Sequence, residues 1–383
     1  MSEAKAEIDR EINWQSLRED FPVTKTLAYL NSAGAGPVPR FVAEAAGGYY
    51  EQLMREGDAR WFEWLQRREL ARAQIAELIN AAPDEIAFTT NTSSGMNLIV
   101  DALEKSGEVV SCDLEFPVST IPWMHRGINV RLVKSIEGEV KVDDVLEATS
   151  DRSGVICLSH VQYSTGLRLD PEDIGRNKGR HKFVLNASQS AGVFPIDVKR
   201  MRVDALCTTG HKWMFAGYGS GFVYISRELL AQTRPRAAGW LSVEDPFKMR
   251  NDEFHLRADA GARSEIGCPH FAGIFALGES ARYLAEIGME TIERRVLQLN
   301  RHLTERLTEA GWKVLSPLKN DASRSAETLV EAENPKRVVA HLSERGVAVT
   351  IKPEGFRVAT HFFNDESDIA RLITALKEFR DRL

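Results

Sequence analysis

Short apolar segments recur along the first two thirds of this chain, and helical patterns such as 93–103 and 118–126 separate many of them. The segments are mostly unbroken runs rather than alternating polar and apolar positions, and they occupy 86–90, 108–112, 130–133, 155–159, 183–185, 203–207 and 221–225. Strands that are apolar on both faces must be covered on both, which is typical of parallel sheets flanked by helices. The pattern predicts an α/β large domain with a mainly parallel, mixed sheet covered by helices.

The sequence changes character after Pro269. Two long helical patterns come first, and strand-like runs then alternate with further helices. The predicted helices are 271–287, 291–310, 335–345 and 366–382, and the predicted strands are 312–315, 327–331, 347–351 and 356–360. This alternation predicts a smaller α+β C-terminal domain. We expect a large domain at 26–270 and a small domain formed by 1–25 and 271–383.

Composition excludes several classes of protein. The 383 residues are 43% hydrophobic and 27% charged, which suits a globular chain of two domains. A net charge of −6 without a basic block argues against binding to nucleic acid or an anionic membrane. No apolar run reaches the roughly 20 residues of a membrane helix, and the charged N-terminus lacks the features of a signal peptide. Four cysteines without a CxxC pair argue against a zinc site and favour a cytoplasmic location.

Polar clusters follow four of the predicted strands, at the point where each strand ends. They occupy 89–94, 160–166, 186–189 and 208–212. Ligands of such sheets bind beyond the carboxyl ends of the strands. The sequence therefore predicts a binding site where these clusters meet.

Lys212 stands between His211 and Trp213, just past the predicted strand 203–207. A lysine near a buried strand is partly desolvated, which lowers its pKa and leaves a neutral amine able to attack a carbonyl. Pyridoxal phosphate supplies such a carbonyl, and its usual protein partners are a lysine and a residue facing the pyridine nitrogen. Because a single loop lysine is commonly exposed and inert, this interpretation depends on further partners along the chain.

Five segments carry a resemblance to a known family, and they span most of the chain in the family's order: 29–36, 88–97, 115–123, 183–213 and 357–364. On these segments the chain resembles fold-type I pyridoxal phosphate enzymes of the class V aminotransferase group, which includes cysteine desulfurases and isopenicillin N epimerase-like proteins. The resemblance implies the fold described above and pyridoxal 5'-phosphate held by Lys212 as a Schiff base. It also implies a homodimer with shared active sites.

The resemblance implies a set of phosphate ligands. They are Ser93, Ser94, Thr209 and His211 from one subunit, with Gly267 and Cys268 from the second. Residues 91–95 end a strand and open a helix, and a helix N-terminus suits a phosphate, although an ordinary N-cap explains the same residues. The family usually has threonine where Cys268 stands.

The resemblance also assigns residues to the cofactor ring. Phe116 stacks on the ring, unless it is only a core phenylalanine, and Ser188 lies against a ring face. Gln189 bonds the phenolic oxygen, and Tyr163 falls where relatives often have an asparagine facing that oxygen. Asn186 departs from the family, which carries aspartate there to pair with the pyridine nitrogen. An amide supplies no negative charge, so protonation of that nitrogen is much less favoured.

Arg357 matches the arginine that binds the substrate carboxylate. Cysteine desulfurases also carry a persulfide-forming cysteine on the loop before this arginine, and residues 346–357 contain none. We therefore expect a cytoplasmic enzyme that acts at Cα or Cβ of an amino acid, either as a lyase by β-elimination or as an epimerase. A class V aminotransferase and a pyridoxal phosphate-binding protein with little or no turnover are the alternatives. Lys212 would also serve as the base at Cα.

Overall fold

The structure is a computed structural model that describes residues 12–381. Its strands are β1 (Ala28–Tyr29), β2 (Ile86–Thr89), β3 (Glu108–Cys112), β4 (Val130–Val133), β5 (Ser153–Ser159), β6 (Lys182–Asn186), β7 (Ala205–Cys207), β8 (Gly221–Ile225), β9 (Glu327–Glu331), β10 (Val347–Ala348), β11 (Thr350–Lys352) and β12 (Gly355–Ala359). Its helices are α1 (Trp14–Arg18), α2 (Arg40–Glu56), α3 (Trp61–Leu78), α4 (Thr92–Leu103), α5 (Ile121–His125), α6 (Val142–Glu147), α7 (Pro171–Asn177), α8 (Arg227–Gln232), α9 (Phe271–Ile287), α10 (Met289–Glu309), α11 (Pro335–Glu344) and α12 (Glu366–Arg380).

Seven strands form the main sheet in the order β2-β8-β7-β6-β5-β3-β4. Strand β8 runs antiparallel to its neighbours β2 and β7, and the other pairs are parallel. The side chains of β5 to β8 are almost all buried, because helices cover both faces of the sheet. The predicted α/β fold with a mainly parallel, mixed sheet is confirmed.

Helices α2 and α3, which the sequence analysis did not predict, pack with α9 on one side of this sheet. The contact is close, since a Cβ added to Gly278 of α9 would lie 2.5 Å from the Cβ of Ala71. Aromatic side chains fill the same layer, with the Tyr49 and Trp64 rings 4.9 Å apart. Helix α4 covers the opposite face, where it packs on β2, β7 and β8 and its Met96 and Ile99 are fully buried.

The C-terminal part contains a three-stranded antiparallel sheet in the order β11-β12-β9, and β10 pairs in parallel with β1. The prediction of a strand at 312–315 is wrong. Val314 makes only an isolated bridge to Val330, because backbone bonds join this segment to β9 only from Lys313 and Leu315. The predicted strand 347–351 is divided into β10 and β11 by a break at Val349.

The predicted helix at 118–126 is also shorter than expected. Residues Pro117–Ser119 form a 3₁₀ turn, and α5 begins only at Ile121. Pro122 suits the first turn of a helix because the N–H that it lacks would have no partner there. The segment therefore contains a turn and a separate helix.

The division into two domains stays a prediction. Arg18 joins residues 12–25 to α12 through Asp368, at 2.7 and 2.9 Å, whereas residues 1–11 lie outside the described part. Helix α9, which the sequence analysis assigned to the small domain, contributes Phe271 and Leu277 to the core of the large sheet. These contacts favour a boundary after α9. Among residues 12–381, no helix is both long and apolar enough to cross a membrane.

Candidate active site

A cavity opens at the carboxyl ends of β5, β6 and β7, next to the first turn of α4. Its walls are formed by Asn91, Thr92, Ser93, Phe116, Val118, Ser159, Val161, Tyr163, Asn186, Ser188, Gln189, Thr209, His211 and Lys212. The fold thus brings together nine residues that the sequence analysis selected from four separate segments. The remaining four selected residues, Ser94, Gly267, Cys268 and Arg357, lie elsewhere and are described below.

Among the described residues that line this cavity, Lys212 presents the only primary amine. Burial, followed by the charge of Arg357, lowers its pKa from 10.5 to about 8. Lys352 acts in the same direction, whereas Glu327 opposes them. A larger share of the amine is therefore neutral near neutral pH than in an exposed lysine.

The backbone around Lys212 is held by a close approach of Gly36. The Gly36 N–H donates to the carbonyl oxygen of His211 at 2.8 Å, and a Cβ at Gly36 would lie only 2.0 Å from the carbonyl oxygen of Lys212. The His211 ring stacks on Tyr218, and its Nδ1 lies 2.6 Å from the Thr209 hydroxyl. Burial and the adjacent Lys212 lower the pKa of His211 to about 4, so the imidazole is neutral at pH 7.

Asn186 ends β6, and its amide is oriented by its neighbours. Its Oδ1 accepts from the backbone N–H of Ser188 at 3.0 Å and from the Ser188 hydroxyl at 2.6 Å, while its Nδ2 donates to Ser119 Oγ at 3.0 Å. The backbone N–H can only donate, so the oxygen must face Ser188. Both acceptor sites of the oxygen are used, and one N–H remains for a ligand.

The buried carboxylate of Glu115 lies next to this arrangement and is linked to it through Ser119. Glu115 accepts from the Ser159 N–H and hydroxyl, both at 2.6 Å, from Gln162 Nε2 at 2.7 Å, and from the Ser119 hydroxyl. Burial raises the pKa of Glu115, and these donors oppose the increase. The hydroxyl of Ser119 thus joins the Glu115 carboxylate to the Asn186 amide.

Gln189, Phe116 and Tyr163 complete the sides of the cavity. Gln189 accepts from the Trp213 indole at 2.8 Å and donates to the Ala33 carbonyl at 3.2 Å, which fixes its amide and leaves one N–H. The Phe116 ring meets the Tyr163 ring edge to face at 5.0 Å. Phe116 is half exposed, so it is not a core phenylalanine.

The first turn of α4 offers free donors to an anion. Asn91 caps the helix by accepting from the Ser94 N–H at 2.9 Å, so the N–H groups of Thr92 and Ser93 remain available. The Thr92 hydroxyl lies 2.7 Å from that of Ser188. The Ser94 hydroxyl instead turns back to the carbonyl oxygen of Asn91 at 2.8 Å, outside this cavity.

Gly267 and Cys268 line a separate, mainly apolar cavity, together with Ser94 and His270. Within the single chain they do not reach the cavity of Lys212. Their contribution to a neighbouring subunit's site stays a prediction.

Arg357, on β12, contacts the backbone of Tyr163. Its Nη1 donates to Glu327 Oε2 at 2.8 Å and to the Tyr163 carbonyl oxygen at 3.1 Å. Both Arg357 and Glu327 are almost completely buried. Within residues 12–381, Arg357 Nε and Glu327 Oε1 have no hydrogen-bond partner, so this pair is only partly satisfied.

Four residues of the site were not assigned a role from the sequence: Glu115, Ser119, Glu327 and Lys352. Lys352 and Glu327 lie on β11 and β9, more than a hundred residues from Lys212, and only the antiparallel pairing with β12 brings them close. One signal for Lys352 was present, since it lies in the segment where desulfurases have their cysteine. Glu327 also gave a signal in the sequence, because a carboxylate at the start of an apolar strand is unusual.

The side chains of the cavity fit pyridoxal phosphate: hydroxyls and helix N–H groups suit a phosphate, an amide N–H suits a ring nitrogen, and Lys212 suits an aldehyde. The fold and this site define the class of pyridoxal phosphate-dependent enzymes of fold type I. The chain belongs to the aminotransferase class-V family, whose model matches residues 28–371. Members of this family are enzymes that use pyridoxal phosphate.

Similar relatives agree with this assignment, and a solved structure shares the fold. The chain is 27% identical to an uncharacterized aminotransferase, YcbU, of Bacillus subtilis (strain 168), over 94% of this chain and 96% of the relative. It is also 27% identical to isopenicillin N epimerase of Amycolatopsis lactamdurans, over 95% and 98% of the two chains. The apo structure of a cysteine desulfurase from Thermococcus onnurineus NA1 superimposes with a TM-score of 0.88 at 24% identity, covering 96% of this chain and 98% of that one.

Proposed function

We propose that this chain acts at Cα or Cβ of an amino acid and catalyses either β-elimination or epimerisation. The observation that carries the proposal is the position of Lys212, a desolvated amine on a cavity wall with Arg357 close enough to lower its pKa. Such a lysine can hold the cofactor's aldehyde as a Schiff base. When bound, pyridoxal phosphate withdraws electrons from the Cα of an amino acid joined to it.

With an amino acid bound in this cavity, the Lys212 amine would be placed to remove the proton from Cα. With a pKa of about 8, its amine is a usable base near neutral pH and a usable acid when it returns a proton. Arg357 still has donors to offer, because its Nε has no partner among the described residues. Binding of the α-carboxylate to these donors would fix the direction of the Cα–H bond, a positioning effect.

Asn186 favours reactions that need only a moderate electron sink. Its oxygen is saturated by Ser188, so the amide offers only an N–H, which suits an unprotonated pyridine nitrogen. The family's aspartate would supply a negative charge and favour protonation. The amide therefore supports elimination and epimerisation over transamination, which needs the stronger sink.

The hairpin before Arg357 argues against sulfur transfer through a persulfide. Residues Thr350–Lys352 pair directly with residues 355–357, and no cysteine lies on this hairpin. Cys112, Cys157 and Cys207 are buried, and Cys268 lines the other cavity. A lyase or an epimerase remains compatible, and a relative named as an isopenicillin N epimerase supports the second possibility.

An aminotransferase is the second candidate, supported by the similarity to a relative named as an aminotransferase.

We further propose that the enzyme is a cytoplasmic homodimer in which Gly267 and Cys268 complete the partner's site. Their place on a mainly apolar cavity of the single chain supports this proposal.

Two experiments in sequence test the proposed function. The purified protein is incubated with pyridoxal phosphate, reduced with borohydride and digested, and we expect the pyridoxyl group on the Lys212 peptide. Products formed from a panel of amino acids then distinguish the reactions: keto acid with free ammonia means elimination, and inverted substrate means epimerisation. Keto acid with the cofactor converted to its amine form would mean transamination. Absence of any product with a labelled Lys212 would favour a binding protein.

A further inference from the structure

Lys352 lies at the end of β11, close to the charged side chains of Arg357 and Glu327. Its Nζ donates to the Tyr163 carbonyl oxygen at 2.9 Å and lies 4.3 Å from the centre of the Tyr163 ring. Arg357 donates to the same oxygen at 3.1 Å. The two cationic groups therefore lie close together at the Tyr163 carbonyl oxygen.

The two cations differ in how their charge is balanced. Arg357 is paired with the buried Glu327. No carboxylate among residues 12–381 lies within ion-pair distance of Lys352, which is partly buried and shares its bonded oxygen with a second cation. Burial and Arg357 lower the pKa of Lys352 to about 8, and the charges of Glu327 and Glu354 oppose this decrease. A partly desolvated cation beside another cation is destabilised, and a bound anion would offset that cost.

We propose that Lys352 binds an acidic group on the substrate's side chain, so that the enzyme prefers amino acids with a second carboxylate. This inference rests on the proposed function, in which Arg357 binds the α-carboxylate. Because Lys352 and Arg357 bond to one oxygen, the two anionic groups must also be close, as in a short four-carbon diacid. A long or apolar side chain would leave Lys352 unpaired.

Binding of unreactive acids to the holoenzyme tests this proposal without turnover. Succinate and butyrate have the same chain length and lack an amine, and only succinate carries a second carboxylate. We expect calorimetry to give succinate at least a tenfold lower Kd than butyrate. We expect Lys352→Met to remove this preference and Lys352→Arg to keep it. The variant Lys319→Met, at an exposed surface lysine, serves as the control and should match the wild type.

Equal affinities of the wild type for succinate and butyrate would overturn the proposal, as would a preference that survives in Lys352→Met. If Lys352→Met fails to fold, the wild type still decides: the preference should fall as pH rises above 8, where Lys352 loses its charge. A preference independent of pH would contradict the role of Lys352. A failure of the proposed function looks different, because Lys212 would then carry no pyridoxyl group after reduction.

Discussion

The two ends of the active-site region differ in how their polar atoms are satisfied. Around Asn186, polar groups of the protein bond to one another: the amide oxygen accepts from the Ser188 backbone N–H and hydroxyl, and the amide nitrogen donates to Ser119. Around Arg357, the guanidinium and its partner Glu327 each keep a buried polar atom unpaired within residues 12–381, where Lys352 also has no carboxylate within ion-pair distance. The first end is preorganised around a neutral amide, whereas the second still has charge to offer a ligand.

This difference suggests that the two ends have different roles in binding. The preorganised end would set the electronic state of a cofactor ring, because its one remaining N–H dictates what it can bind. The charged end would select and orient an anionic substrate, because its unsatisfied donors gain most from one. Lys212 lines the same cavity as Asn186, and its pKa responds to the charges of the second end.

The largest expected effect is that of Lys212→Ala. Loss of both the Schiff-base amine and the base at Cα should lower kcat by about 10³-fold or more. Borohydride labelling followed by peptide mapping should find no pyridoxyl group. Lys352→Ala is the matched control and should keep the label on Lys212. A label that persists in Lys212→Ala would place the anchor elsewhere.

Arg357→Gln should lower kcat/KM by roughly 10²-fold, because the substrate loses a charged partner for its carboxylate. The substitution also leaves Glu327 buried without its cation. The double variant Arg357→Gln with Glu327→Gln separates the two effects, since it removes the orphaned charge. If the double variant recovers activity, Arg357 serves Glu327 rather than the substrate.

Asn186→Asp should have a smaller, positive effect at the other end. A carboxylate at this position would favour protonation of the ring nitrogen, worth about 1.5–3 kcal/mol for a charge-assisted bond, or roughly tenfold or more in rate. Exchange of the Cα proton in D₂O, followed by NMR, measures this step. Asn186→Ala should not increase the exchange rate. An unchanged rate in Asn186→Asp would contradict the role given to Asn186.

The smallest expected effects are shifts in the pKa of Lys212. Its neutral amine is the reactive form, so Schiff-base formation with limiting pyridoxal phosphate should rise with pH through a midpoint near 8. Lys352→Met removes a like charge and should move the midpoint up, whereas Glu327→Gln removes an opposite charge and should move it down. Spectrophotometric titration checks both directions. Shifts of the same sign in the two variants would show that Lys212 does not sense these groups.

The sequence predicted the main sheet well because its strands are short, apolar and bounded by polar residues. All seven predicted strands form, and the four polar clusters between residues 89 and 212 meet at one edge. The sequence could not show how Ser94 turns away from the cavity, since this depends on the cap formed by Asn91. The partners Glu327 and Lys352 were equally hidden, because the register of β9, β12 and β11 decides which side chains meet Arg357.

The most direct test of the contrast between the two ends is the protonation state of the cofactor's ring nitrogen. The holoenzyme is prepared with pyridoxal phosphate labelled with ¹⁵N in the ring, and its NMR chemical shift is measured at neutral pH. The account predicts the shift of an unprotonated nitrogen in the wild type and that of a protonated nitrogen in Asn186→Asp. A protonated nitrogen in the wild type would contradict it, because the saturated Asn186 oxygen could not then be its partner.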